Sequence, residues 1–255
     1  MRPKIMITRF LFLLLYGSIC VPVPAQNLTA SEIIKKADEK ARGLSARGTM
    51  TLSVIRPDWT KSITFKTWSK GTEFSLIYIT APAREKGQVF LKRHKDMWNW
   101  VPTIERMIKI PPSMMMQSWM GSDFTNDDLV KESSLVVDYT HKLLGRETVR
   151  GMECYKLELT PLPDAAVTWG KIITWITVKG LDQWKAEYFD EDMALINSMN
   201  ASQIKRMGDR ELPTLLEIVP ANKKGNKTVL EINQMVFNQP IAESFFSQQN
   251  MKTIK

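Results

Sequence analysis

The stretch "ARGTMTLSVIRPDWTKSITFK", Ala46 to Lys66, decides the fold class. Ala46, Met50, Leu52 and Val54 alternate with Arg47, Thr49, Thr51 and Ser53. After Pro57-Asp58 the same rhythm returns, with Trp59, Ile63 and Phe65 alternating with Thr60, Ser62, Thr64 and Lys66. Successive side chains of a strand point to opposite faces, so this period of two describes two half-buried strands joined by a tight turn.

The rhythm continues outward from there. Phe74, Leu76 and Tyr78, then Val89 and Leu91, then "DMWNWVP" and "RMIKIP" read as further strands. Later come "VVDYTHKLLG", "CYKLELTP", "KIITWITV", "WKAEYFD", "LINSMNASQIKRM", "TLLEIVP" and "KTVLEINQMVF". Lys70-Gly71, Lys95-Asp96, Val178-Lys179-Gly180 and Lys224-Gly225-Asn226 fall where turns are needed. That makes about a dozen strands in meander order, with no Pro-, Gly- or Ser-rich linker and no fixed-period repeat. One strongly curved antiparallel sheet with a helix or two packed on one side is the economical arrangement. The helices are few. "TASEIIKKADEKARG" has Thr29 as N-cap, Glu32 completing a capping box, and Gly43 as stop. Its stripe, Ile33, Ala37 and Ala41, is narrow, which suits a helix lying on something rather than forming core. A short helix is expected over "TNDDLVKE", capped by Thr125, and a last one over "IAESFFSQQ".

The first 25 residues read as a secretory signal peptide. Arg2, Lys4 and Arg9 precede an apolar run from Phe10 to about Val21, and "VPA" at Val23 to Ala25 offers a cleavage site. Lipidation at Cys20 is the rival reading, weakened by the Gly17-Ser18-Ile19 approach. Residues 26–255 then form one domain in the periplasm. Without Arg2, Lys4 and Arg9 the net charge of +8 falls to +5. Charges of both signs are mixed along the chain, so nucleic acid is not implied. One cysteine remains, Cys154, so no internal disulfide is possible, and its strand setting suits a buried structural thiol.

Chemistry is not signalled. His94 and His141 have no metal-ligand spacing around them, and no phosphate loop, nucleophile elbow or zinc-protease motif occurs. "DFTNDD" holds Asp123, Asp127 and Asp128 but fails the calcium-loop pattern, and helix capping explains it better. No catalytic residue, metal or cofactor is assigned.

What is over-represented is soft apolar side chain. Fifteen methionines, eight tryptophans and ten phenylalanines are present, and four of the methionines crowd "PPSMMMQSWMGSDFTNDDL", Pro111 to Leu129. This is the longest break between strands, which is where a lid or binding loop can be inserted. Methionine repacks around varied apolar surfaces. Met114, Met115, Met116, Trp119, Met120 and Phe124 are therefore expected in a lid or rim over an acyl-chain cavity. Phe65, Phe74, Leu76, Leu91, Trp98 and Trp100 are expected to line its sheet side. The competing reading is that the segment plugs one end of the sheet.

Several of these segments resemble one family. "PAREKGQVFLK" and "HKDMWNWVPTIERMIKIPP" are similar to the aromatic strand and Pro-containing arm of LolA-like periplasmic lipoprotein carriers. "GSDFTNDDL" resembles a signature of the outer-membrane lipoprotein-sorting branch, and "KIITWITVKGLDQWKAEYFDEDM" and "VFNQPIAESFF" resemble its C-terminal half. The resemblance implies a half-open barrel of roughly eleven strands with helices as a lid over an apolar concave face. It implies a carrier that takes acylated chains from an inner-membrane transporter and delivers them to an outer-membrane acceptor; a monomer is expected. Arg84 matches the arginine before the family's aromatic strand, which makes it a candidate lid tether, with an ordinary surface arginine as the alternative. The function expected is binding of lipoprotein or lipid acyl chains without chemistry. The alternative is a lipid-sensing or partner-binding module of the same fold, working beside an inner-membrane lipid transporter.

Overall fold

A computed structural model describes residues 28–128, 134–165 and 167–255. The leader expected over residues 1–25, and most of the helix expected from Thr125, lie outside them. Among the described residues, strands form two runs. The first is β1 (Ser45–Ile55), β2 (Thr60–Lys70), β3 (Phe74–Ala81), β4 (Val89–Arg93), β5 (Asp96–Val101) and β6 (Arg106–Ile110). The second is β7 (Tyr139–Val149), β8 (Met152–Pro161), β9 (Lys171–Thr177), β10 (Gln183–Phe189), β11 (Leu195–Met207), β12 (Arg210–Pro220) and β13 (Lys227–Phe237). Each run is a plain antiparallel meander. The two are welded by β1 pairing with β13, so all thirteen strands make one sheet with β6 and β7 at its edges. The sheet curves without closing, an open half-barrel somewhat larger than the eleven strands expected.

The weld explains one glycine. A Cβ on Gly48 would sit 2.1 Å from the carbonyl oxygen of Gln234 across the β1–β13 seam. Only glycine lets the backbones approach that closely.

The register sets which side chains share a face. Leu52 lies opposite Ile63 on one side and Leu230 on the other, Leu230 opposite Leu216, and Leu216 opposite Ala201. This row belongs to the main core inside the curve. Helix α1 (Ala30–Arg42) lies against that inner face, with the Thr29–Glu32 capping box and the Gly43 stop in place. Ile33, Ile34 and Ala37 are fully part of the core, so the helix is more deeply integrated than its narrow stripe suggests.

The outer face of β3–β5 is covered as well. Phe246 and Met251, from the C-terminal segment, pack on Phe74, Leu76, Tyr78, Val89 and Leu91. The C-terminal helix starts later than expected: a 3-10 turn at Glu243–Phe245 precedes α2 (Gln248–Thr253), whose first turn is capped by the Ser247 hydroxyl accepting from the Asn250 N–H.

Candidate functional site

The chain after β6 crosses the inside of the half-barrel. Pro111 and Pro112 end the strand, and the methionine run then folds back on the acidic run that follows. The Trp119 N–H donates to the Phe124 carbonyl at 2.8 Å, Asn126 to Gln117 at 2.9 Å and Asp127 to Met115 at 3.1 Å. The turn between them needs Met120 and Gly121 at φ 53° and 81°. This hairpin aims Trp119 inward, where it is wholly buried with its ring 5.6 Å from Phe65 and 5.4 Å from Phe90. Met115 is buried beside it, Met114 and Met120 are partly buried on the same core, and Met116 is 62 % exposed. The segment thus fills the β2–β4 side of the half-barrel with its own side chains.

The lining expected on the sheet side separates into two faces. Phe65 points into the main core with Ile77, Ile79 and Phe90. Phe74, Leu76 and Leu91 are on the outer face under α2, with Trp98 and Trp100 packed against them. The reason is the register: Trp68 pairs with Leu76, Leu76 with Leu91 and Leu91 with Trp98, all on the parity opposite to Phe65. Because β3 is buried on both faces, its sequence carries no alternation from which the inner face could be read.

The tether is also elsewhere. Arg84 is exposed in the β3–β4 turn. Arg56, just past β1, holds the crossing segment instead: its guanidinium donates to both carboxylate oxygens of Asp123, at 2.9 and 3.1 Å, and to the Gly121 carbonyl at 3.2 Å. Asp123 further accepts from the Thr228 hydroxyl at 2.7 Å. Asp128 accepts from the Thr125 N–H at 2.8 Å while its own N–H donates to the Thr125 hydroxyl; Asp123 is a structural anchor.

Space remains under α1, on the β9–β13 side. Three compartments run in series. The first, about 200 Å³, is walled by Ile34, Ala37, Ala41, Leu181, Leu212 and Leu216. The second, about 230 Å³, shares Asp38, Leu135, Gln183 and Leu216 with it and adds Tyr139, Tyr188, Met199 and Ile218. The third, about 500 Å³, shares Phe124 and Trp169 with the second and is lined by Ser118, Thr125, Asn197, Asn222, Lys223 and Asn226 among others. Leu212 in the first and Pro220 in the third are eight positions apart on β12, roughly 26 Å at about 3.3 Å per residue. Together they mark a channel along the strands: the first compartment is mostly apolar, the second adds Arg42, Asp127 and Asp128 to its apolar wall, and the third is the most polar of the three.

Helix α1 roofs the first two compartments and is fastened at both ends. At its start the Ser31 hydroxyl meets His141 Nδ1 at 3.0 Å, while His141 Nε2 contacts the Leu135 carbonyl at 2.6 Å. At its end Lys40 Nζ donates to Asp182 at 2.5 Å and to the Gly180 carbonyl, and Arg210 donates to the Lys40 carbonyl at 2.7 Å. Burial raises the Asp182 carboxyl, and Lys40 pulls it back down.

Burial pushes the Asp128 carboxyl up to about 6, against hydrogen bonds from Thr125 and Trp169 that favour its ionised form. Since the folded value exceeds the unfolded one, the favourable contribution is complete below about pH 4 and is lost as the pH rises through about 6. The stability of the wild type minus that of Asp128→Asn is therefore expected to fall by about 2 kcal/mol between pH 4 and pH 7. A difference that stays flat in denaturant titrations across that range contradicts the assignment.

Among the described residues no cluster of His, Cys, Asp and Glu could hold a metal, and no helix is long and apolar enough to cross a membrane. Cys154 is buried as expected, and burial raises its thiol to about 11. Sequence reasoning missed Arg56, Tyr139, Tyr188, Met199, Leu216 and Ile218. Arg56 and Asp123 lie 67 residues apart, so no local spacing could have paired them.

Known structures share this architecture. A DUF1329 family protein from Desulfovibrio piger superposes with TM-score 0.80 at 22% identity, covering 87% of this chain and 97% of that one. A LolA superfamily protein from Nitrosomonas europaea gives 0.77 at 25% identity, covering 88% and 100%. A protein domain from Vibrio parahaemolyticus described for outer membrane lipoprotein sorting gives 0.78 at 20% identity, covering 88% and 98%. Among curated proteins nothing matches the chain. A family model described as "Uncharacterized protein" matches residues 71–253, most of the chain. The protein therefore belongs to that family and carries the fold of the LolA superfamily.

Proposed function

We propose that this protein is a periplasmic carrier that shelters an acyl chain of a lipoprotein or lipid in the channel under α1. It accepts the chain from an inner-membrane transporter, releases it to an outer-membrane acceptor, and performs no chemistry of its own. The observation that carries the reading is the largely apolar space under α1, left open inside a half-barrel whose other side is filled. An acyl chain in water costs about 0.8 kcal/mol per CH₂, which an apolar channel recovers. The two compartments under α1 are smaller than the roughly 300–1,000 Å³ usual for ligand sites. Loading therefore requires α1 or the crossing segment to lift. Polar fastenings at the ends of a helix suit that, since they re-form with water when broken. The fold shared with LolA superfamily proteins supports the same reading.

Leu216 is half-buried and lines both compartments under α1. Leu216→Trp is expected to weaken binding of a fluorescent fatty acid at least about tenfold, while circular dichroism and the thermal midpoint stay near wild type. No saturable binding by the wild type, or unchanged binding by the variant, rejects the channel. Cellular depletion tests the carrier step: lipoproteins held back at the inner membrane agree with transport, and normal sorting rejects it.

A further inference from the structure

The polar third compartment is unaccounted for by acyl-chain binding alone. It opens at the end of the half-barrel formed by the β12–β13 turn, the end of β10 and the tip of the crossing segment. Phe124 and Trp169 form a collar between it and the second compartment. The collar is held in place, because the Trp169 ring packs tilted against Tyr188 at 5.1 Å and its Nε1–H donates to Asp128 at 3.4 Å.

Its charges cancel. The Arg56 guanidinium is spent on Asp123 at 2.9 Å. Lys223 and Asp190 are the remaining charged groups of the lining, one of each sign. What is left is hydrogen-bonding capacity of both kinds. Asn222, exposed, and Asn226, half-buried, line the compartment from the β12–β13 turn. Each amide offers a carbonyl acceptor and two N–H donors. A phosphate or carboxylate placed here would face Asp190 with no unspent cation beyond Lys223.

We infer that this compartment is a head-group subsite for an uncharged, amide-bearing polar head, an inference that rests on the acyl-carrier reading above. The cargo lies with its chain toward the Lys40–Asp182 end of α1 and its head among Asn222 and Asn226. An acylated peptide and an N-acylated lipid both present the same amide carbonyl and N–H pair.

The test uses the full mature chain and three probes carrying one acyl chain: N-palmitoylglycinamide, palmitic acid and palmitoyl lysophosphatidic acid. The neutral amide is expected to bind about tenfold more tightly than palmitic acid, the worth of about one well-made hydrogen bond. Asn222→Ala with Asn226→Ala should abolish that preference and leave palmitic acid binding unchanged, while Lys223→Ala should leave the preference intact. Equal binding of amide and acid overturns the subsite but leaves the acyl channel standing. Tighter binding of the lysophosphatidic acid, or loss of preference in Lys223→Ala, overturns it in favour of an anionic head. Failure of every probe to bind overturns the carrier reading and the subsite with it. Extending the probe to an N-palmitoylated tripeptide amide separates the two sources of the amide, since only a peptide-tailored subsite gains from the added residues.

Discussion

Trp119→Ala is expected to cost about 3–5 kcal/mol of unfolding free energy, read as a shifted midpoint in denaturant titration at unchanged slope. The indole is fully buried between Phe65 and Phe90, and the hairpin that delivers it is held by backbone hydrogen bonds on both arms. Removing the ring leaves a cavity that the rigid strands behind it cannot collapse to fill, so both the lost transfer energy and the cavity penalty apply. The two edge-on or tilted ring contacts add about 0.5–1.5 kcal/mol each. Met116→Ala, three residues away on an exposed side chain, should stay within about 0.5 kcal/mol. A Trp119→Ala cost under about 1 kcal/mol would mean that the segment does not plug the barrel.

The second large effect is at Arg56. Arg56→Met leaves the Asp123 carboxylate in a nearly dry site, its side chain 6 % exposed, with the Thr228 hydroxyl as its remaining side-chain donor among the described residues. Breaking a buried pair from one side costs about 3–5 kcal/mol, chiefly the penalty of the stranded charge. The crossing segment can escape that cost by lifting, so the loss should show as faster amide hydrogen exchange in Ser122 to Asn126 before it shows in global unfolding. Arg56→Met combined with Asp123→Leu removes both charges and should recover most of the protection. Arg84→Ala should do nothing measurable. Equal exchange in Arg56→Met and wild type would remove Arg56 as the tether.

The sheet was legible in the sequence because period-two alternation survives wherever one face is wet or differently packed. Met50, Leu52 and Val54 against Thr49, Thr51 and Ser53 is such a case. The capping box at Thr29 was legible because it is a local device spanning four residues. The inner face of β3–β5 was not. Phe74, Ile77, Leu91 and Met97 are all buried, on one face or the other, and apolar residues on both sides of a strand erase the signal. The cover responsible, Phe246 and Met251, arrives from more than a hundred residues downstream. The channel was illegible for a different reason: its walls come from α1, the β6–β7 crossing and β9–β13, and are made of ordinary residues such as Leu216 and Ile218. The conspicuous methionines fill space, and the inconspicuous aliphatics leave it.

The strand order bears on how the molecule is made. Every pairing but one joins strands adjacent in sequence, and these can zip as local hairpins. The exception, β1 with β13, must close a loop of about 170 residues, between Ile55 and Lys227, before any of its hydrogen bonds repay the entropy. Until the last strand is available, β1 has a bare edge in the half that is synthesised first. The chain thus stays incompletely folded through nearly the whole of its synthesis, the condition in which a polypeptide can still be threaded through a narrow pore.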